Sequence, residues 1–183
     1  MTDNADSLQG ALGQLARENA ALRQRLARHE LRRLLAELSA DPPFALDIVD
    51  VGAASGCDWA ARAAASNRLP RLPLPSGAIQ KERLSSTLPA IAIHDEGMMG
   101  SALANALAGL FKTQYQTPFA RLLFLCSHYQ AVPLLGRYGY GLEHIGERPP
   151  EAELERLHAR HGVTQIRALG SGKLIAERAG PNP

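Results

Sequence analysis

His94, Asp95 and Glu96 stand side by side just before Gly97, an imidazole and two carboxylates closing an apolar run. That combination suits general acid–base work, and it offers donors to a metal ion. A metal site needs further ligands, and none is recognisable beside these three, so no metal is expected. Asp95 and Glu96 also stand where a following helix wants an N-cap and first-turn negative charge, and capping is the favoured role. A second polar group, Cys126-Ser127-His128-Tyr129, closes another apolar run. Ser127 reads there as an N-cap. Ser127 and His128, adjacent in the chain, do not make a nucleophile–base pair, because such partners meet through space. There is also no Gly-x-Ser-x-Gly elbow. Cys126 reads as a small buried hydrophobe. The catalytic candidates are His94, Asp95 and His128, and His144 is close enough to a strand end to join the same rim.

A third group is glycine-rich: Asp50-Val51-Gly52-Ala53-Ala54-Ser55-Gly56, after an apolar stretch. Glycines behind a strand let backbone N–H groups approach a ligand and let the next helix begin close to it. Asp50, Gly52, Ala53, Ser55 and Gly56 are the cofactor-binding candidates. The stretch resembles the first motif of class I S-adenosylmethionine-dependent methyltransferases, in the Asp-x-Gly-Ala-Ala-x-Gly form seen in RNA ribose methyltransferases. The resemblance implies S-adenosylmethionine, or a nucleotide-type donor, lying against the loop. That family ends its second strand in an acidic residue, whereas here no carboxylate lies between Asp58 and Glu82. A purely structural strand-to-helix turn accounts for the same glycines.

The elements that must position these groups alternate along the chain. Strands are predicted at 44–51, 89–94, 120–126, 142–145, 163–169 and 173–177, and helices at 57–66, 97–111, 129–138 and 150–161. Residues 69–77 hold three prolines and read as an extended crossing loop. This order implies an α/β domain over 44–178: a mainly parallel, Rossmann-like or flavodoxin-like sheet with helices on both faces and a C-terminal β-hairpin turned by Gly170-Ser171-Gly172. Ligands of such sheets gather beyond the carboxyl ends of the strands. The glycine–tyrosine run at 136–141 falls at the opposite end, as a helix-to-strand loop. Gly170-Ser171-Gly172-Lys173 is not a phosphate loop, since Leu174 occupies the Ser/Thr place.

Ahead of the domain, residues 1–40 read as a coiled-coil helix. Leu8, Leu15 and Leu22 recur every seven residues, and Leu12, Asn19 and Leu26 follow each by four. Taken as d and a positions, they form a seam of three heptads. Asn19 at an a position favours a parallel homodimer in register, where two carboxamides pair and other arrangements leave them unpaired. Beyond Leu26 the stripe widens to Leu31, Leu34, Leu35 and Leu38, better suited to packing on a globular body. The competing arrangement lays the whole helix on its own domain. Asp41-Pro42-Pro43 ends it.

Composition narrows the remaining classes. The 183 residues carry 20 Lys and Arg against 18 Asp and Glu, with six of each sign in residues 1–43. Neither half has the field of a dedicated nucleic-acid binder, and the Arg-rich helix face is read as solvated. The first residues are acidic with no apolar stretch behind them, and no apolar run approaches the roughly 18 residues that span a bilayer. A cytoplasmic protein without membrane contact is expected. Two cysteines, Cys57 and Cys126, are too few for a disulfide framework. Much Ala, Leu and Arg beside three Lys suits a GC-rich bacterial genome. Together these features describe a dimeric binding or assembly module offering a strand-end surface to a small ligand or protein partner. The alternative is a small transferase using the 52–56 loop.

Overall fold

Ala90-Ile91-Ala92-Ile93 carries no polar side chain on either face, the pattern of a strand covered on both sides, and this strand lies at the centre of the sheet. The structure, a computed structural model, describes residues 3–44, 74, 75, 77, 79 and 88–178. Within them the elements follow in order: helix α1 (Asp3–Leu38), β1 (Ala90–His94), α2 (Gly100–Gln116), β2 (Arg121–Cys126), α3 (Val132–Arg137), β3 (Gly141–His144), a 3-10 turn (Pro150–Glu153), α4 (Leu154–His161), β4 (Val163–Ala168) and β5 (Leu174–Glu177). The protein is of the α/β class. The strand expected at 44–51, the helix at 57–66, the 52–56 glycine loop and most of the crossing at 69–77 lie outside the described residues. Phe44, the first residue of that expected strand, is described, and it sits buried in a turn at φ 63°.

The five strands run in the order β3-β2-β1-β4-β5. β1 pairs in parallel with β2 and β4, β2 pairs in parallel with β3, and β5 joins β4 antiparallel as the expected hairpin. From β1 the chain winds outward through α2 to β2 and α3 to β3. It then returns through α4 to β4 on the far side of β1. A right-handed crossover in the reverse direction requires α4 to lie on the other face. Burial follows that rule. Ile91, Ile93, Leu122, Phe124 and Cys126 pack with side chains of α1, α2 and α3, whereas Ala90, Ala92, Leu123, Leu125 and Ile166 pack with Leu154 and Leu157. Phe111, Phe124 and Tyr140 form an aromatic cluster on the first face, with centroids 5.0–5.8 Å apart.

Local chemistry sets the element ends. Pro133 stands in the first turn of α3, where its missing N–H costs nothing. Gly162 closes α4 at φ 74°, a left-handed conformation that favours glycine, and its N–H bonds the His158 carbonyl. Gly77 has φ 77°, and a Cβ there would stand 2.5 Å from the Tyr140 ring. That part of the crossing therefore lies directly against the start of β3, with Leu74 buried beside it.

α1 divides into two halves of opposite character. Ala27, Leu31, Leu34 and Leu38 are buried, Leu34 completely, and the helix packs against α2. Glu37 ties this half to α3: it accepts from the Tyr138 hydroxyl at 3.0 Å and pairs with Arg137 at 2.9 Å. Burial, then the Glu37 hydrogen bond and charge, push the Tyr138 phenol up to about 12. Every residue from 8 to 26 is exposed. Leu8, Leu12, Leu15, Leu22 and Leu26 are 55–64% exposed, a row of apolar side chains outside the buried core of the described residues.

Candidate functional site at the strand ends

The parallel register of β1 and β2 sets His94 beside Leu125, so Asp95 and Ser127 follow as neighbours just past the sheet. β3 ends level with them, because Cys126 pairs with His144. Three strand termini thus converge next to β1 and β4, between which the winding direction reverses. This is where α/β sheets open a crevice.

Ser127 is held at all three of its polar groups. Its N–H donates to Asp95 Oδ2 at 2.9 Å, its Oγ lies 3.1 Å from His94 Nε2, and its carbonyl accepts from His144 Nε2 at 3.1 Å. A carbonyl only accepts, so His144 carries its proton on Nε2. The His144 ring stacks on Tyr129 with centroids 4.1 Å apart and 13° between planes. Asp95 is itself buried, and its Oδ1 accepts from the Gly97 N–H at 3.1 Å. The same oxygen lies 3.9 Å from His94 Nε2. Between them Glu96 adopts φ 52° and Gly97 φ 70°. A non-glycine residue in that region costs about 1–2 kcal/mol, a strain maintained by the two hydrogen bonds that Asp95 accepts.

These contacts replace the expected capping roles. The N-cap of α2 is Met99, with no side-chain cap, and Gln130 Oε1 accepts from the Gly100 N–H instead. α3 begins at Val132, beyond reach of Ser127, which turns its hydroxyl to His94. Cys126 is 2% exposed, and burial, reinforced by the Asp95 charge, pushes its thiol up to about 12. It stays protonated near neutrality and acts as core, as the sequence implied.

A cleft of about 530 Å³ opens over this cluster, lined by His94, Ser127, His128, Glu96, Arg148 and Glu151 among others. Its charge is lopsided. Arg148 is committed to structure: its guanidinium pairs with Glu153 at 2.7 Å and donates to the carbonyls of Ile145 and His144. Glu96, Glu147 and Glu151 are exposed around the mouth. Among the described residues no group of three or more His, Cys, Asp or Glu side chains is placed to hold a metal ion.

Of the sequence candidates, the fold brings His94 and Asp95 into contact with Ser127 and puts His128 on the cleft wall. Asp50, Gly52, Ala53, Ser55 and Gly56 lie outside the described residues. What the sequence reading missed is the His94–Ser127 contact. Its signal was two apolar runs, each broken by a polar pair at the same depth.

A second polar cluster was also missed. Glu143, on the second face, receives His161 Nε2 at 2.9 Å, Arg156 at 2.5 Å and Arg160 at 3.5 Å, while Arg156 also binds Glu153. Burial pushes the Glu143 carboxyl up, but the His161 and Arg156 hydrogen bonds and the two arginine charges outweigh it and hold the group below its ordinary value. This cluster ties α4 to the sheet edge.

The fold and site together define an α/β protein wound both ways from a central parallel strand, with a polar cleft at its strand ends. No protein-family model, no curated protein and no solved structure matches the chain. Among the described residues no helix is long and apolar enough to cross a membrane.

Proposed function

We propose that the protein is a homodimeric binding or assembly module, joined by parallel pairing of α1 over residues 8–26. Each α/β body would present its strand-end cleft to a small ligand or protein partner. One observation carries the dimer: the five leucines at heptad spacing are 55–64% exposed, while Leu31, Leu34 and Leu38 later in the same helix are buried. A helix meant to lie on its own domain would bury both sets. Burying a leucine side chain contributes roughly 1.5–3 kcal/mol. Ten half-exposed leucines across a dimer recover on the order of 10 kcal/mol, comparable with the roughly 4–15 kcal/mol that association costs. A reversible dimer follows. Asn19, at the centre of the seam, supports the parallel, in-register choice.

The test combines mass and orientation. Sedimentation of the full chain at micromolar concentration is expected to give twice the chain mass. The Leu12→Cys variant, substituted at an a position, is expected to form a disulfide-linked dimer on mild oxidation, because only a parallel in-register pair brings the two copies of that position together. The unsubstituted chain, oxidised alongside, is expected to stay unlinked. A monomer at tens of micromolar rules out the dimer. A dimer in which the Leu12→Cys variant links no better than the unsubstituted chain rules out its orientation.

A further inference from the structure

The geometry points to an acyl-transfer centre in the strand-end cleft, with Ser127 as nucleophile, His94 as its base, and a small uncharged or cationic ester or thioester as substrate. This deepens the strand-end binding reading above and is independent of the dimer.

Four observations support it. Ser127 Oγ and His94 Nε2 are at hydrogen-bond distance, 3.1 Å, and both line the cleft. That is the contact a nucleophile and its base require. The Ser127 backbone is fixed on both sides, by Asp95 on its N–H and His144 on its carbonyl, so the hydroxyl is aimed before any ligand arrives. The Asp95 carboxylate, 3.9 Å from His94 Nε2, places negative charge where an imidazolium would form. The one thiol among these residues, Cys126, is buried and held protonated, leaving Ser127 as the hydroxyl or thiol that faces both the base and the cleft.

The reaction balances without a further reagent. Ser127 Oγ bonds to the acyl carbon as its proton passes to His94 Nε2. The bond from the acyl carbon to the leaving alcohol or thiol breaks, and the leaving group takes that proton. Water, deprotonated by His94, then releases the acid and restores the hydroxyl. Substrate charge follows from the lining. Arg148 is paired with Glu153 and bonded to two carbonyls, which offsets its charge, and the exposed glutamates at the mouth disfavour an anionic acyl group.

The experiment uses the full-length chain and a short-chain alkyl fluorophosphonate, read by intact mass and peptide mapping. One adduct on Ser127 is expected, absent in Ser127→Ala, which removes the hydroxyl and keeps both backbone hydrogen bonds. His94→Gln is expected to label at least about 100-fold more slowly, the scale of general-base assistance. In the unsubstituted chain, p-nitrophenyl acetate is expected to acylate at least tenfold faster than its succinyl counterpart. Absence of an adduct on the folded chain, an adduct elsewhere, or labelling of His94→Gln as fast as the unsubstituted chain overturns the centre. Equal rates for the two esters overturn the charge preference. Chain mass separates the two readings: a monomer that labels at Ser127 removes the dimer alone, and an unlabelled dimer removes the acyl centre alone.

Discussion

His94 and Ser127, 33 residues apart in the chain, meet with Nε2 3.1 Å from Oγ. The contact exists because β1 and β2 are parallel neighbours whose registers end together. Parallel pairing brings the carboxyl ends of separate segments to one place, so residues from unrelated positions assemble there. Asp95 locks the arrangement by accepting hydrogen bonds from both Gly97 and Ser127.

Asp95→Asn should therefore destabilise the protein as well as loosen the cleft. The amide keeps one acceptor oxygen and turns an N–H₂ donor toward a second N–H. Loss of one hydrogen bond to a buried charged group predicts a cost of about 1–3 kcal/mol, measured by urea unfolding. A variant as stable as the parent would mean that the carboxylate is not holding the two strand ends.

The two halves of α1 should respond differently to the same substitution. Leu34, fully buried against the body, should lose about 2–5 kcal/mol on change to Ala. Leu15→Ala should leave the intrinsic stability of the α/β body nearly unchanged and weaken self-association instead. Unfolding of the α/β body followed at low chain concentration, beside sedimentation at high concentration, separates the two effects.

Asn19→Leu should strengthen association and relax its specificity. A leucine removes the one seam residue that selects a parallel pair, so higher oligomers are expected beside dimers. Light scattering reads this directly. A variant that associates more weakly than the parent would place Asn19 outside the seam.

Glu143→Gln should cost about 1–3 kcal/mol near neutral pH, since His161, Arg156 and Arg160 converge on that carboxylate. Its folded-state value lies below the ordinary 4.5, so its contribution is fully present above that pH. The contribution is lost as pH falls through the depressed folded value. The stability gap between parent and variant should thus be present down to about pH 5 and close in stronger acid. Thermal melts across that range give the comparison. A gap that stays open in strong acid would contradict the assignment.

Much of this architecture was legible in the residue pattern. The apolar runs ending at His94 and Cys126 read as buried parallel strands because both faces of such strands are covered and no alternation remains. Pro133 and Gly162 marked a helix start and a helix end through fixed backbone preferences. The change in stripe after Leu26 anticipated the division of α1 into exposed and buried halves. Side-chain roles at the strand ends were less legible. Asp95 and Ser127 look like caps because local propensity rewards capping, yet each has a better partner across the sheet.

The order of residue types along the chain determined which segments become strand or helix, where each stops, and that leucines at spacing seven line one side of α1. These follow from local sterics and from the periods of helix and strand, which a sequence displays directly. Only the tertiary structure decided that β1 lies between β2 and β4, that Ser127 faces His94 rather than the next helix, and that Glu143 meets two arginines and a histidine of α4. Strand order and register result from competition among many pairings over the whole chain. No short window of sequence records its outcome.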